Sequence, residues 1–313
     1  MNNFIKHLVI VVHDVQEKGL FLALANAAWF VRIFIPQRIF LSLIQAKHIL
    51  VKKKINKVIN NVAILSIPTT RKMCDFDQAP IWFCWLQGKN NMPLIVQLCL
   101  KSIKANSNGH PVVFVHLGNI EEYIVLPKHI IDLFEAGKIQ YAHYADIIRT
   151  SLLYNYGGCW IDSTVFLTHQ LSEKIFESDF FSVKLPVDKF FVSQARWSNF
   201  FLACKPGDKL MGKTLKMFEV YLSRKDYFVD YFMMDYFMDM IIELDADLKA
   251  QIDAIPYNNR NIHQLKFHLA DQYSAEHFSD ICGDTYIHKL SWKMHLQGTV
   301  YNSIANYLFH LYK

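Results

Sequence analysis

Residues 142–168 read A-H-Y-A-D-I-I-R-T-S-L-L-Y-N-Y-G-G-C-W-I-D-S-T-V-F-L-T. Ile147, Ile148, Ser151, Leu152 and Tyr154 to Tyr156 recur at roughly helical spacing, which predicts a helix. Gly157-Gly158 ends it, because glycine takes left-handed backbone angles at little cost. Cys159-Trp160-Ile161 is short, apolar and suited to a sheet. Asp162 follows, where the strand leaves the core. Ligands of open α/β sheets bind beyond the carboxyl ends of the strands, and Asp162 falls at such a position. Asp146 and Arg149 lie three apart on the preceding helix and share a face. Two carboxylates and a guanidinium thus converge near one strand end, a set suited to an anionic ligand held with a divalent metal.

Strand and helix patterns alternate on both sides of this stretch. Ile81–Leu86 and Pro111–Leu117 read as strands, Met92–Ala105 and Pro127–Ala136 as helices, and Lys138–Tyr141 as a short edge strand. Further on, Phe180–Val183 and Phe200–Ala203 read as strands. Asp208–Arg224, Tyr227–Leu244 and Val300–Leu311 read as helices. Such alternation predicts an α/β fold with a largely parallel sheet and helices on both faces.

Charge divides the chain. The net charge of +5 conceals a first segment, residues 1–74, with eleven Lys/Arg against only Asp14 and Glu17; the remainder is net acidic. Leu20–Ile35 is apolar apart from Asn26 and Arg32, but sixteen residues fall short of the roughly 20 that a membrane span needs. Pro36 interrupts it. Gln37–Ile59 then combines Ile39, Phe40, Leu43, Ile44, Ile49 and Leu50 with Arg38, Lys47, Lys52, Lys53, Lys54 and Lys57, the pattern of an interfacial helix on anionic headgroups. Residues 1–74 are therefore expected to be a basic apolar helical arm that meets a membrane surface through residues 18–60, with 75–313 as the main domain. An arm packed on that domain with a solvated basic face is the alternative. No compact basic start or small-residue cleavage site marks a signal peptide. Nucleic acid is excluded as a partner, since the basic region is too apolar and the main domain is acidic. The six cysteines show no metal-finger spacing and read as buried free thiols of a reducing compartment.

The pattern A-x-x-A-D-x-x-R-x-x-L-L-x-x-Y-G-G-x-W-x-D-x-T, at 142–164, resembles the core of retaining glycosyltransferases of family 32, in particular their bacterial capsular polysaccharide synthesis branch. I-W-F-C-W-L-Q-G at 81–88, D-Y-F-M-M-D-Y-F at 230–237 and I-H-K-L-S-W-K at 287–293 are similar to the family's first strand and later motifs. The resemblance implies a GT-A type, Rossmann-like nucleotide-diphospho-sugar transferase fold. It also implies a cytoplasmic enzyme, peripheral on the inner face of the membrane. Its donor would be a nucleotide-diphospho-sugar, a UDP-sugar being favoured, and its acceptor a saccharide linked to polyprenyl diphosphate. Many relatives carry Asp-x-Asp at the strand end; here the second position is Thr164.

Expulsion of a diphosphate calls for charge neutralisation, and Mn²⁺ or Mg²⁺ serves as both template and Lewis acid. Asp162 is the expected catalytic and metal-binding carboxylate. Thr164 offers a hydroxyl without charge, so His288 is the expected second metal ligand. Lys289 offers a point charge to the diphosphate. Asp146 and Arg149 match the pair that contacts the donor sugar. Gly157 and Gly158 let backbone approach the ligand closely. Trp82 or Trp85 stacks on the base and Gln87 reads its edge, although strand parity forbids both tryptophans from facing one way. Asp235 is expected at the reaction centre, Asp230 as a charge at a helix N-terminus, and Arg196-Trp197 on the acceptor side. A nucleotidyl transferase would need a glycine-rich phosphate loop that 81–88 lacks. A catalytically inactive membrane assembly subunit is the remaining competitor, favoured by the missing second carboxylate.

Overall fold

The helix, glycine turn and strand expected at the centre of the chain are present, and every other element is arranged about them. The computed structural model describes residues 19, 20, 22, 29–62, 65–294 and 302–312. After a 3-10 turn at Trp29–Phe34, the elements are α1 (Gln37–Ile59), β1 (Ile81–Cys84), α2 (Leu94–Ala105), β2 (Val112–Val115), α3 (Lys128–Glu135), α4 (Tyr141–Tyr156) and β3 (Gly158–Ile161). There follow β4 (Val165–Leu167), α5 (Glu173–Glu177), β5 (Phe180–Ser182), β6 (Phe201–Cys204), α6 (Lys209–Leu222), α7 (Met233–Glu243) and α8 (Ala246–Ala254). The chain closes with α9 (Leu265–His268), α10 (Ala275–Cys282), β7 (Ile287–Lys289) and α11 (Ile304–Leu311).

The central sheet has the order β2-β1-β3-β6-β5. β1 runs parallel to β2 and β3, while β6 is antiparallel to both β3 and β5. Four strands therefore share a direction and β6 opposes them. A separate antiparallel pair joins β4 to β7.

Period-2 alternation divides the sheet's side chains between two cores. Trp82, Cys84, Trp160, Leu202 and Cys204 enter one core with residues of α1, α4, α6, α7 and α8. Ile81, Phe83, Cys159, Ile161, Phe201 and Ala203 enter the other with residues of α2, β4, β7 and α11. The mixed α/β architecture with helices on both faces follows, as the alternating sequence implies.

The glycine turn serves the fold. Gly157 and Gly158 have φ of 67° and 81°. A Cβ on Gly158 would lie 2.1 Å from the carbonyl oxygen of Pro80, and one on Gly157 2.7 Å from that of Cys204. The close approach that the glycines permit is therefore to neighbouring backbone; the expectation that they admit a ligand is corrected. Cys159 N donates to Pro80 O at 2.9 Å and so sets β3 beside β1.

Two elements differ from expectation. Residues 138–140 form no strand but lead directly into α4. The helix expected from Tyr227 starts only at Met233, because Asp230 Oδ1 accepts from Phe232 N at 3.0 Å and holds a turn there.

α1 starts after Pro36, as the sequence indicates, and it is packed on the main body. Val51, Ile55 and Ile59 are buried in the same core as Trp82. Lys47 pairs with Asp230 at 2.7 Å, and Lys52 pairs with Asp239 and, at 2.8 Å, with Glu243. The segment after it crosses α4: Arg71 N donates to Asn155 Oδ1 at 2.6 Å and Met73 N to Tyr156 OH at 2.7 Å. Residues 21 and 23–28 of the apolar run, and the first eighteen residues, lie outside the described residues. Among the described residues no helix is long and apolar enough to cross a membrane.

Two substitutions test this packing by urea unfolding. Ile55→Ala, at a fully buried site, is expected to cost about 2–4 kcal/mol, whereas Ile39→Ala, at a 61% exposed position of the same helix, should stay within about 0.5 kcal/mol of wild type. Equal effects would mean that α1 is not part of the core.

Candidate active site

A cavity of about 1240 Å³ opens beyond the carboxyl ends of β1 and β3. Because β6 runs antiparallel, its entry residues Ser198–Phe200 arrive at the same edge, where Asp162 N donates to Phe200 O at 2.9 Å. Residues following β7 complete the wall.

Asp162 is the hub. Its Oδ1 accepts from Trp160 Nε1 at 2.8 Å and from Arg149 Nη2 at 3.1 Å, and its Oδ2 from Lys289 Nζ at 2.7 Å. Arg149 also pairs with Asp146 across one helical turn, at 3.3 Å. A chain of alternating charge, Asp146–Arg149–Asp162–Lys289, therefore lines the cavity floor. Aromatic faces hold the cations: the Arg149 guanidinium lies 4.8 Å from the Trp160 ring centroid and Lys289 Nζ 5.0 Å from that of Phe200. Burial pushes the Asp162 carboxyl up, but Lys289 and Arg149 outweigh it and hold the group at about 2. Asp146 responds the other way. Burial, reinforced by the charge of Asp162 and only partly offset by Arg149, raises it to about 6.

Asp235 forms a second acidic point on the wall, in the first turn of α7, where a helix dipole favours a carboxylate. Trp197 Nε1 donates to its Oδ1 at 2.9 Å and Asn199 Nδ2 to its Oδ2 at 2.8 Å. Burial and the nearby Asp146 raise its pKa to about 7 even so.

Gln87, Asp146, Arg149, Asp162, Thr164, Asp235 and Lys289 all line this one cavity. Trp82, Gly157, Gly158 and His288 do not. Trp82 is fully buried; its Nε1 donates to Gly157 O at 2.9 Å, and its ring packs edge-on to Phe76 and Tyr123. Trp85, beyond the strand end, lines the cavity instead, with Trp292 at 6.5 Å between ring centroids. His288 is also fully buried, opposite Phe166 in the β4–β7 pair, and burial lowers its pKa to about 4. Alternation along β7 sends His288 inward and Lys289 to Asp162. Asp230 sits before α7 and pairs with Lys47, so the helix-terminal charge is Asp235.

A family model described as capsular polysaccharide synthesis protein matches residues 32–308. The chain belongs to the capsular polysaccharide synthesis protein family. No curated protein and no solved structure matches the chain. The matched span of this capsular polysaccharide synthesis protein takes in α1 as well as the cavity, and it runs well beyond the motifs between 81 and 293.

Of the two expected metal ligands, Asp162 lines the cavity and His288 does not. Asp162 has both oxygens bound to protein cations, Thr164 supplies no charge, and His288 is buried between β7 and β4 with its Nε2 3.4 Å from Thr168 Oγ1. Among the described residues the one cluster with metal-ligand spacing is His268, Asp271 and His277, none of which lines the cavity.

Sequence reasoning missed Asn199 and the role of Trp197 in holding Asp235. The signal was present in the R-W-S-N run at 196–199, but only the antiparallel return of β6 carries it to the Asp162 end of the sheet.

The charge chain makes a prediction about stability. Asp162 has a depressed folded-state pKa, so its contribution is complete above the unfolded value of 3.8 and is lost as pH falls toward about 2. Asp162→Asn is expected to cost about 2 kcal/mol at pH 7, with the difference from wild type shrinking between pH 4 and 2. A cost unchanged at pH 2.5 would contradict the ion-pair account.

Proposed function

We propose that this capsular polysaccharide synthesis protein is a retaining glycosyltransferase of GT-A type. It moves a sugar from a nucleotide-diphospho-sugar to a saccharide acceptor carried on a lipid. The observation that carries this reading is the charge chain Asp146–Arg149–Asp162–Lys289 on the floor of one cavity at the carboxyl ends of parallel strands, the position at which α/β sheets bind nucleotides. The volume suits a nucleotide-sugar together with the end of an acceptor. Trp85 and Trp292 offer aromatic faces to a base, and Gln87 an amide to its edge.

In this reaction the bond from the sugar C1 to the diphosphate oxygen breaks. A bond from C1 to the acceptor oxygen forms on the same face, and the acceptor's proton passes to the leaving phosphate oxygen. The protein's part is to orient both substrates and to stabilise the diphosphate as its charge grows. Arg149 and Lys289 are the cations at hand. Asp146 takes donor sugar hydroxyls. Asp235, fixed by Trp197 and Asn199, orients the reacting hydroxyls as a carboxylate.

The lipid-linked acceptor draws support from the approach to the cavity. Phe191, Tyr231 and Phe232 line it and are exposed, and Phe191 packs edge-on to Phe232. The neighbouring Phe190 packs on Phe40 of α1. The exposed Ile33, Phe34 and Ile39 precede or begin that same helix. This apolar ground, with Arg38, Lys53 and Lys54 along α1, suits an anionic membrane surface.

Calorimetric titration with UDP, GDP and CDP tests the donor site. One nucleoside diphosphate is expected to bind wild type and to lose at least tenfold in affinity with Asp162→Ala. Failure of all of them to bind the folded protein, both without metal and with Mn²⁺, would exclude the transferase reading. A second prediction concerns pH. Turnover should rise with pH through about 7 as Asp235 ionises, and Asp235→Asn should remove that limb along with roughly 10²-fold of the rate through lost positioning. An unchanged profile in Asp235→Asn would assign the limb to another group.

A further inference from the structure

Within the donor reading just given, the environment of Asp162 bears on how the diphosphate is neutralised. A strand-end carboxylate that ligates a divalent cation must present at least one free oxygen to it. Here Oδ2 is held by Lys289 at 2.7 Å, and Oδ1 by Trp160 at 2.8 Å and Arg149 at 3.1 Å. A second carboxylate two residues on would restore a metal ligand, but Thr164 stands there. His288, on the same strand as Lys289, is fully buried and does not line the cavity.

We infer that the Lys289 ammonium, backed by Arg149, takes the place of a divalent cation against the donor diphosphate, and that the donor site works without metal. Three features support the substitution. Lys289 is the terminal cation of the charge chain, and its side chain retains 21% exposure against 7% for Arg149, so it is the member that reaches a ligand in the cavity. With three N–H donors, Lys289 offers one to a phosphate while keeping its bond to Asp162 Oδ2, and Arg149 and the Trp160 indole hold Oδ1, so no bare carboxylate is left facing the anion. Lys289 is also steadied over the ring of Phe200, the residue before β6, which lines the cavity wall. Lys293, four residues further along the chain, also lines the cavity and adds a second ammonium there. A lysine is a compact point charge with three donors, suited to a diphosphate whose charge grows as the glycosidic bond breaks. Thr164 and Lys289 then belong together: Thr164 leaves out a negative charge that an Asp-x-Asp pair would place here, and Lys289 of β7, the partner of β4, supplies a positive one.

The test compares each of UDP, GDP and CDP with its monophosphate by calorimetry on the full chain, first in EDTA and then with Mn²⁺. The expected result is that one diphosphate binds at least tenfold more tightly than its monophosphate in EDTA, and that Mn²⁺ changes its affinity by less than about threefold. Lys289→Met should lower diphosphate affinity at least tenfold while leaving the monophosphate within about twofold, and Lys289→Arg should recover most of the loss. Diphosphate binding that appears only with Mn²⁺ would overturn the inference and leave the donor reading standing. No binding of any pair, with or without Mn²⁺, would overturn both. The EDTA comparison on wild type decides the matter even if the methionine variant does not fold.

Discussion

The sharing of one carboxylate between two cations and an indole governs this molecule. Asp162 leaves the sheet at the end of β3, and its three partners come from three different parts of the chain: α4, β3 itself and β7. A buried charge without partners is costly, whereas a carboxylate with both oxygens occupied persists at the floor of a cavity. Everything that sets those partners in place is therefore a condition for the site. The glycine turn lets β3 lie against Pro80 and start at the right height. Alternation along β7 delivers Lys289 and buries His288. The antiparallel return of β6 brings Asn199 and Phe200 to the same edge.

α1 is tied into this arrangement from behind. Lys47 reaches Asp230, just before the helix that presents Asp235, and Lys52 reaches Asp239 within it. Asp239 also pairs with Arg196, adjacent to the Trp197 that holds Asp235. A basic helix that reads as a membrane element thus also has lysines that anchor one wall of the cavity. The inward lysines are paired with the body, while Ile39 and Ile49 of the helix, and Ile33 and Phe34 before it, remain exposed.

Much of the fold was legible because its signals are local. Glycines in tandem, a β-branched and aromatic strand and apolar helical spacing all act over a few residues, and α4, β3 and α6 appear where those patterns put them. The convergence of Asp146, Arg149 and Asp162 was legible for the same reason, since one helix turn and one strand end fix their relation. What could not be read was parity and return path. Trp82 and Trp85 are equally aromatic, and only the sheet's two-sided packing decides that Trp82 is core and Trp85 faces the cavity. His288 and Lys289 are adjacent, and pairing with β4 decides which of them meets Asp162. Asn199 has no motif of its own; its position depends on β6 running against its neighbours. The start of α7 moved because a side-chain bond from Asp230 outcompeted continued helix, an interaction that periodicity does not register.

The measurement that bears most directly on the account is the fate of the donor's anomeric carbon. Incubation of the protein with a panel of nucleotide-sugars, followed by proton NMR from the first minutes, reads both turnover and stereochemistry. The account predicts slow release of nucleoside diphosphate from one donor, with the first-formed sugar keeping the donor's anomeric configuration. First-formed sugar of inverted configuration, or no release from any donor by a protein that binds one, would contradict it.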